Sequence, residues 1–398
     1  MYHASYKVLV LIAAISLTAC DEVIPPAKES DQLLDGPVDG LSHEETRQFL
    51  SGDVAFNDQV FTANDGLGPI FVATSCGSCH AGDGKGHPFT TLTRFGQVDE
   101  TGNQYLGKGG PQLQHRSLPG FIPETLPEGV PFARFTPPGN TGLGFLEQVR
   151  DSDLLSLEDP DDADGDGISG TANWITVPEY TVLNPGAIER NGKYIGRFGK
   201  KAGVYNLQQQ TINAYNQDMG ITSSYSPYDT YSNLETDAEI SVQTINNVVF
   251  YLQTLKAPIQ RDQQKEQIVH GKDLFIAAGC ENCHKQSLQT RETSIEALAN
   301  KTFSPYTDLL LHDMGPGLDD GYTEGNAKTY EWRTAPLWGL GLSPNSQGGE
   351  YFLMHDGRAK SIEEAIGMHG GEGSHSRDIF VESTSVDKES ILAFLKSL

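Results

Sequence analysis

The sequence predicts a mainly α-helical chain built as two related modules, each enlarged by long irregular loops. Three observations predict it. Two five-residue words, Cys76-Gly-Ser-Cys79-His80 and Cys280-Glu-Asn-Cys283-His284, divide the 398 residues. Each is followed, far downstream, by an amphipathic helical stretch of similar wording: Ile240 to Leu255, and Val386 to Leu398. The intervening chain carries much of the 43 Gly and 21 Pro, without the alternation that marks strands, and so reads as loop.

The N-terminus reads as an export signal. Lys7 is a thin basic region and Val8 to Leu17 a short apolar run. That run is too short to span a hydrocarbon core of about 30 Å. Leu17-Thr18-Ala19-Cys20 resembles a bacterial lipoprotein cleavage box, so residues 1–19 are expected to be removed and Cys20 lipidated; an ordinary signal cut nearby is the alternative. Asp21 resembles the signal that keeps lipoproteins on the inner membrane. The expected location is the periplasm, with a lipid anchor as the one membrane attachment. Residues 20–42, rich in Pro, Asp and Gly, read as a flexible tether.

The first module is expected over 43–257 and the second over 258–398. Each opens with a Phe- and Gly-bearing segment read as helical: Phe61 to Cys76, and Gly271 to Cys280. With the closing helices, this start and finish resembles the cytochrome c fold, whose first and last helices cross beside the haem. The formal charge of −25 disfavours nucleic acid and favours basic or neutral partners.

Cys-x-x-Cys-His is the attachment signature of a c-type haem. Two thiols one turn apart add to the two vinyl groups of a porphyrin, and the following histidine faces the iron. Cys76, Cys79, Cys280 and Cys283 are therefore expected to hold two haems covalently, with His80 and His284 as proximal ligands. Paired zinc or disulfide sites are the alternative. The sixth ligands decide function, because an open position admits peroxide and a filled one leaves an electron-transfer haem. Ser361 and Glu364 form a capping-box pattern. Ile362, Ala365, Ile366 and His369 then share one face, with His369 in the last turn before Gly370 and Gly371. Spacing leaves His369 either a distal ligand or a helix-terminal histidine, with Met314 and Met368 as rivals. For the first haem only the loop residues His87 and His115 offer themselves, so its distal side is expected to be open.

Glu147, among apolar residues in Gly-Leu-Gly-Phe-Leu-Glu147-Gln-Val, is the candidate acid–base group for peroxide, or else the polar face of an amphipathic helix. Asp162, Asp164 and Asp166, followed by Gly167, resemble the first half of a calcium loop, though Asn173 stands where the usual acid at position twelve belongs. An acidic surface turn is the alternative.

Longer words are more specific. Pro305-Tyr-Thr-Asp-Leu-Leu-Leu-His-Asp-Met-Gly-Pro-Gly-Leu318, Glu331-Trp-Arg-Thr-Ala-Pro-Leu-Trp-Gly-Leu340, His355-Asp-Gly-Arg-Ala-Lys-Ser-Ile-Glu-Glu-Ala-Ile366, Gly196-Arg-Phe-Gly199 and the Asp159–Gly170 word resemble the bacterial di-haem oxidoreductase family. That family is also labelled "thiol oxidoreductase-like" and is regarded as peroxidases. More distantly the chain is similar to di-haem cytochrome c peroxidases and methylamine-dehydrogenase maturation enzymes. The resemblance implies His369 as distal ligand of the C-terminal haem, Glu147 as the peroxidatic glutamate, and calcium between the haem domains. It implies reduction of hydrogen peroxide with electrons from a small cytochrome c or cupredoxin. Lys200 departs from the family, which often has Trp after Gly-Arg-Phe-Gly, so an inter-haem relay here would need another route. Trp174, Trp332 and several tyrosines are available. A non-enzymatic electron carrier and an oxidative enzyme acting on an organic or protein substrate are the competing readings.

Overall fold

A computed structural model describes residues 30–32, 34–96, 98–99, 102–103 and 110–398; the export signal and Cys20 lie outside them. Among the described residues are ten α-helices: α1 (His43–Asp53), α2 (Leu143–Glu147), α3 (Asp151–Leu155), α4 (Leu207–Asn213), α5 (Val242–Thr254), α6 (Glu266–Ala277), α7 (Ser343–Ser346), α8 (Ile362–Gly367), α9 (Ser374–Glu382) and α10 (Ser385–Ser397). The long ones start where local chemistry allows. The Ser42 hydroxyl accepts from the Glu45 amide and the Glu45 carboxylate from the Ser42 amide, closing a full capping box on α1. Ser241 and Thr384 cap α5 and α10 in the same way from one side; each such cap contributes about 1 kcal/mol.

Two helix pairs organise the chain. α1 packs on α5, and α6 packs on α10. Each crossing is made at a glycine. A Cβ on Gly52 would lie 2.1 Å from the Asn247 carbonyl oxygen, and one on Gly271 would lie 1.9 Å from that of Ser390. Only hydrogen fits between the backbones there. The first crossing buries Phe49 and Phe56 against Tyr251, with ring centroids 5.0 and 5.5 Å apart. The second buries Phe275 and Tyr306 against Phe394, at 5.3 and 5.7 Å. Burial of each such ring stabilises by about 1.5–3 kcal/mol.

The remainder is irregular. Strands are short and paired in twos, the longest being Leu92–Phe95 against Phe132–Phe135. Mostly helical architecture with extensive loops therefore matches the sequence, but three local expectations are corrected. Phe61 to Cys76 is not helical: it holds a 3-10 turn, Ala63–Asp65, and a two-residue strand, Ile70–Phe71. Gly66, Gly68 and Pro69 break any helix, and Gly68 lies against the Gly220 backbone. The helix that opens the first half is α1. Secondly, the end of the expected tether is docked, since the Val38 amide donates to Thr254 and the Lys256 amide to Gly36. Thirdly, the core does not divide at 257/258. Leu288, Leu298, Phe303 and Leu310 share one core with Phe145 and Trp174, and the Arg291 amide donates to Gln148.

Candidate functional site

The second cysteine word sits in a turn at the end of α6. Gly279, at φ 76°, stops the helix and starts the 3-10 turn Cys280–Asn282. The His284 amide donates back to Cys280 at 3.0 Å. Its ring Nδ1 lies 3.0 Å from the Tyr306 carbonyl. Facing it is the segment after α8. Ser361 caps α8 by accepting from the Glu364 amide; the Glu364 carboxylate turns to the Lys360 amide, so the expected reciprocal box is half formed. α8 ends at Gly367, and His369 stands just beyond the last turn, its Nδ1 2.8 Å from the Ala365 carbonyl.

His284 and His369 line one cavity of about 310 Å³, walled by Phe275, Ile366 and Phe380 among others. A carbonyl only accepts, so Nδ1 carries the proton in both rings. The lone pair is left on Nε2, the arrangement a metal-bound imidazole needs. Burial pushes His284 down to about 4. Burial also lowers His369. Both are therefore neutral donors at ordinary pH. Met314 lines the same cavity, whereas Met368 packs into the α6/α10 core.

The first word repeats this geometry. The Cys79 and His80 amides donate to the Cys76 carbonyl. His80 Nδ1 is 3.1 Å from the Pro138 carbonyl, and burial holds the ring down to about 4. Phe56 lies 5.9 Å from the His80 ring as Phe275 lies 6.4 Å from that of His284, with interplanar angles of 53° and 52°. No disulfide joins the four cysteines of the two words. In neither word do the two sulfurs and the imidazole nitrogen converge within 4.8 Å, as a zinc site requires. Spread donors suit a porphyrin, whose vinyl groups and iron are separate points, so the donor set fits two c-type haems. His87 accepts the Phe89 amide on Nδ1, which leaves its proton on Nε2 and no lone pair there for a metal. His115 is exposed.

Glu147 is buried at the end of α2. Its Oε1 accepts from the Leu207 amide at 2.7 Å and its Oε2 from Gln253 at 2.6 Å, and burial raises its pKa. It lines a separate depression with Gln148, Gln253 and Arg291, outside the cavity shared by His284 and His369. In the acidic loop, Asp159 rather than Asp166 joins Asp162 and Asp164 in a cluster of carboxylate oxygens within 4.8 Å. Asp166 instead accepts from Asn282 at 3.0 Å, tying the loop to the second cysteine word.

Sequence reasoning missed two groups. His312 is fully buried beside Cys283, with Nε2 2.9 Å from Asp308 and Nδ1 2.7 Å from Glu372. Both nitrogens face carboxylates, so both must donate and the ring is a cation; its pKa stands well above the ordinary value. The step of four from Asp308 to His312 was a weak signal, and Glu372 gave none. Next to the first word, Asp218 ends a five-residue π-helical turn, Ala214–Asp218. Burial pushes its carboxyl up to about 6, and it acts on both Cys76 and Cys79. The Tyr215 hydroxyl, in the same turn, is buried and has no hydrogen-bond partner among the described residues.

No curated protein matches the chain. Among solved structures, a chain of Kuenenia stuttgartiensis hydrazine synthase pressurised with 20 bar xenon is similar over 99% of this chain and 100% of that one, at 13% identity and a TM-score of 0.41. That likeness is too slight to carry an argument. The sequence matches the family described as "Di-haem oxidoreductase, putative peroxidase" over residues 23–95 and 133–398. Both cysteine words, all three carbonyl-anchored histidines and the residues around them fall inside the matched spans, and the chain belongs to the di-haem oxidoreductase family.

Proposed function

We propose that this di-haem oxidoreductase reduces hydrogen peroxide to water, drawing two electrons from a small redox protein. One observation carries the reading. Among the described residues, three histidines donate Nδ1 to a carbonyl: His284 and His369 across one cavity, and His80 at the other word. Three such imidazoles for two haems would suffice to hold one iron from both faces and the other from one. Haem iron, when bound, supplies one-electron chemistry and the centre where the O–O bond breaks. The protein's own part is to present the three Nε2 lone pairs and to hold protons. Glu147 serves the proposal as a buried carboxyl whose hold on its proton burial strengthens, and Asp218, pushed up to about 6, is a second one near the first word. The charge of −25 supports a basic cytochrome c or cupredoxin as donor. Export, lipidation at Cys20 and calcium at Asp159, Asp162 and Asp164 complete the proposal.

The test is an electron paramagnetic resonance and optical spectrum of the holoprotein, matured in a host competent for cytochrome c assembly, before and after peroxide. The proposal expects two covalent haems and a high-spin signal that peroxide consumes. Two unreactive low-spin centres would make the protein an electron carrier instead. His369→Ala should convert the remaining low-spin centre to high spin. Glu147→Gln should cut peroxide turnover by 10²-fold or more with unchanged spectra; loss of stability alone would confine Glu147 to its bonds with Leu207 and Gln253.

A further inference from the structure

The cavity wall between the two words carries three cations that the protein leaves short of anions. Lys85, Lys200 and Arg333 all line it. Among the described residues, neither lysine ammonium makes a hydrogen bond or ion pair. Arg333 donates Nε to the Gly199 carbonyl at 2.9 Å and Nη1 to that of Thr334 at 3.1 Å; among the described residues no carboxylate pairs with its guanidinium, and Nη2 makes no hydrogen bond. The neighbouring Lys201 makes the contrast. Its ammonium donates to the carbonyls of Lys328, Thr329 and Glu331 and lies 3.7 Å over the Trp332 ring. Lys201 is satisfied by the fold, and Lys200 is not.

The Arg333 amide donates to the Lys200 carbonyl at 3.0 Å, so backbone pairing sets these two cations side by side. Lys85 adds its charge to Lys200 from the other edge. The one acid that favours the Lys200 ammonium, Asp356, is gripped by Arg358 at 2.8 Å. All three are half-buried. Desolvation, joined at Lys200 by repulsion from Lys85 and Arg333, pushes Lys200 down to about 7; desolvation alone pushes Lys85 to about 8, and it takes Arg333 to about 10 against the opposing charge of Asp308, itself bound to His312. Gathering buried cations without an anion is costly, and a fold keeps such a cluster where an anion comes to meet it. The cavity also reaches Pro138, whose carbonyl anchors His80, and His80 feels the Lys200 charge.

We infer that Lys200, with Arg333 and Lys85, forms a carboxylate-binding cradle between the two haem sites, and that the carboxylates it holds are haem propionates. Charge-assisted bonds to two donors on Arg333 and Lys200 would fix the porphyrin edge and offset the anionic groups there. The inference rests on the two-haem reading. Lys200, which departs from the resembled family's usual Trp, then acquires a role as an electrostatic bridge.

The experiment is spectroelectrochemical titration of intact holoprotein, wild type against Lys200→Met and Lys200→Arg, after haem content has been measured by mass spectrometry. Removing a cation beside propionates should move at least one midpoint potential to a more negative value in Lys200→Met, while Lys200→Arg restores it. Wild-type potentials should not respond to added acetate. Two haems with unchanged potentials in Lys200→Met overturn the inference alone, and absence of haem overturns the functional reading instead. A saturable acetate response gives the cradle to a carboxylate from solution and overturns the propionate assignment. If Lys200→Met does not assemble, Lys85→Met is read in the same way.

Discussion

His312 sets up the sharpest energetic test in the molecule. Its ring is 3% exposed, between Asp308 at 2% and Glu372 at 9%. Glu372 also accepts from Ser169, and Asp308 from the Leu310 amide, so neither carboxylate can turn away. Each charge pair at about 4 Å gains roughly 4 kcal/mol at an effective dielectric of about 20, and most of that is offset by desolvation. Taking the ring away leaves two buried anions facing each other. His312→Ala should therefore cost about 3–5 kcal/mol, the range for breaking a buried pair. Glu372→Gln in that background should recover part of it, because one uncompensated charge is gone.

The pH window follows from the directions of the shifts. His312 is raised in the fold, so its stabilisation is full below its ordinary value of 6.5 and is lost as pH rises through the folded value. Glu372 is lowered, so its contribution is full above its ordinary 4.5 and is lost as pH falls through the folded value. The His312→Ala deficit is then largest between about pH 4.5 and 6.5. Urea unfolding followed by circular dichroism measures it. A loss under about 1 kcal/mol, typical of exposed ion pairs, would refute the reasoning.

Other consequences are as direct. Gly52→Ala and Gly271→Ala force a methyl into backbone and should each cost about 1–3 kcal/mol or more in thermal melts. Gly367→Ala meets nothing within 4 Å at an ordinary helical position and should stabilise by about 0.4–1 kcal/mol. Asp218 is raised to about 6 from 3.8, so the fold binds its proton more tightly and stability falls as pH rises between those values. Asp218→Asn should flatten that slope, worth on the order of 2–3 kcal/mol; an unchanged pH profile would show the carboxyl to be solvated.

What the sequence revealed was what is local. A Cys-x-x-Cys-His word is complete within five residues, so both words were legible. Ser361 and the apolar spacing of α8 placed His369 to within a residue of its observed site. The helix expected over Phe61–Cys76 failed because its fate is decided by Gly68 packing on Gly220, far away in sequence. Steps of two in the acidic loop suggested Asp162, Asp164 and Asp166. The chain instead turns at Asp162, at φ 48°, bringing Asp159 back to accept the Ala163 amide and freeing Asp166 for Asn282. The cationic state of His312 and the grouping of Lys85 with Lys200 and Arg333 were not legible, because Glu372 and the shared cavity wall come together only in three dimensions.

The two glycine crossings have a kinetic corollary. Gly52 meets a helix roughly 200 residues downstream, and Gly271 one roughly 120 residues downstream. Loop-closure entropy grows only logarithmically, so doubling such a connection costs just about 0.6 kcal/mol at equilibrium. Long excursions carrying the acidic loop and the cavity wall can therefore hang between the crossing helices at small thermodynamic expense. The search for those distant contacts is slow, and refolding time, far more than final stability, should register any change in the length of these excursions.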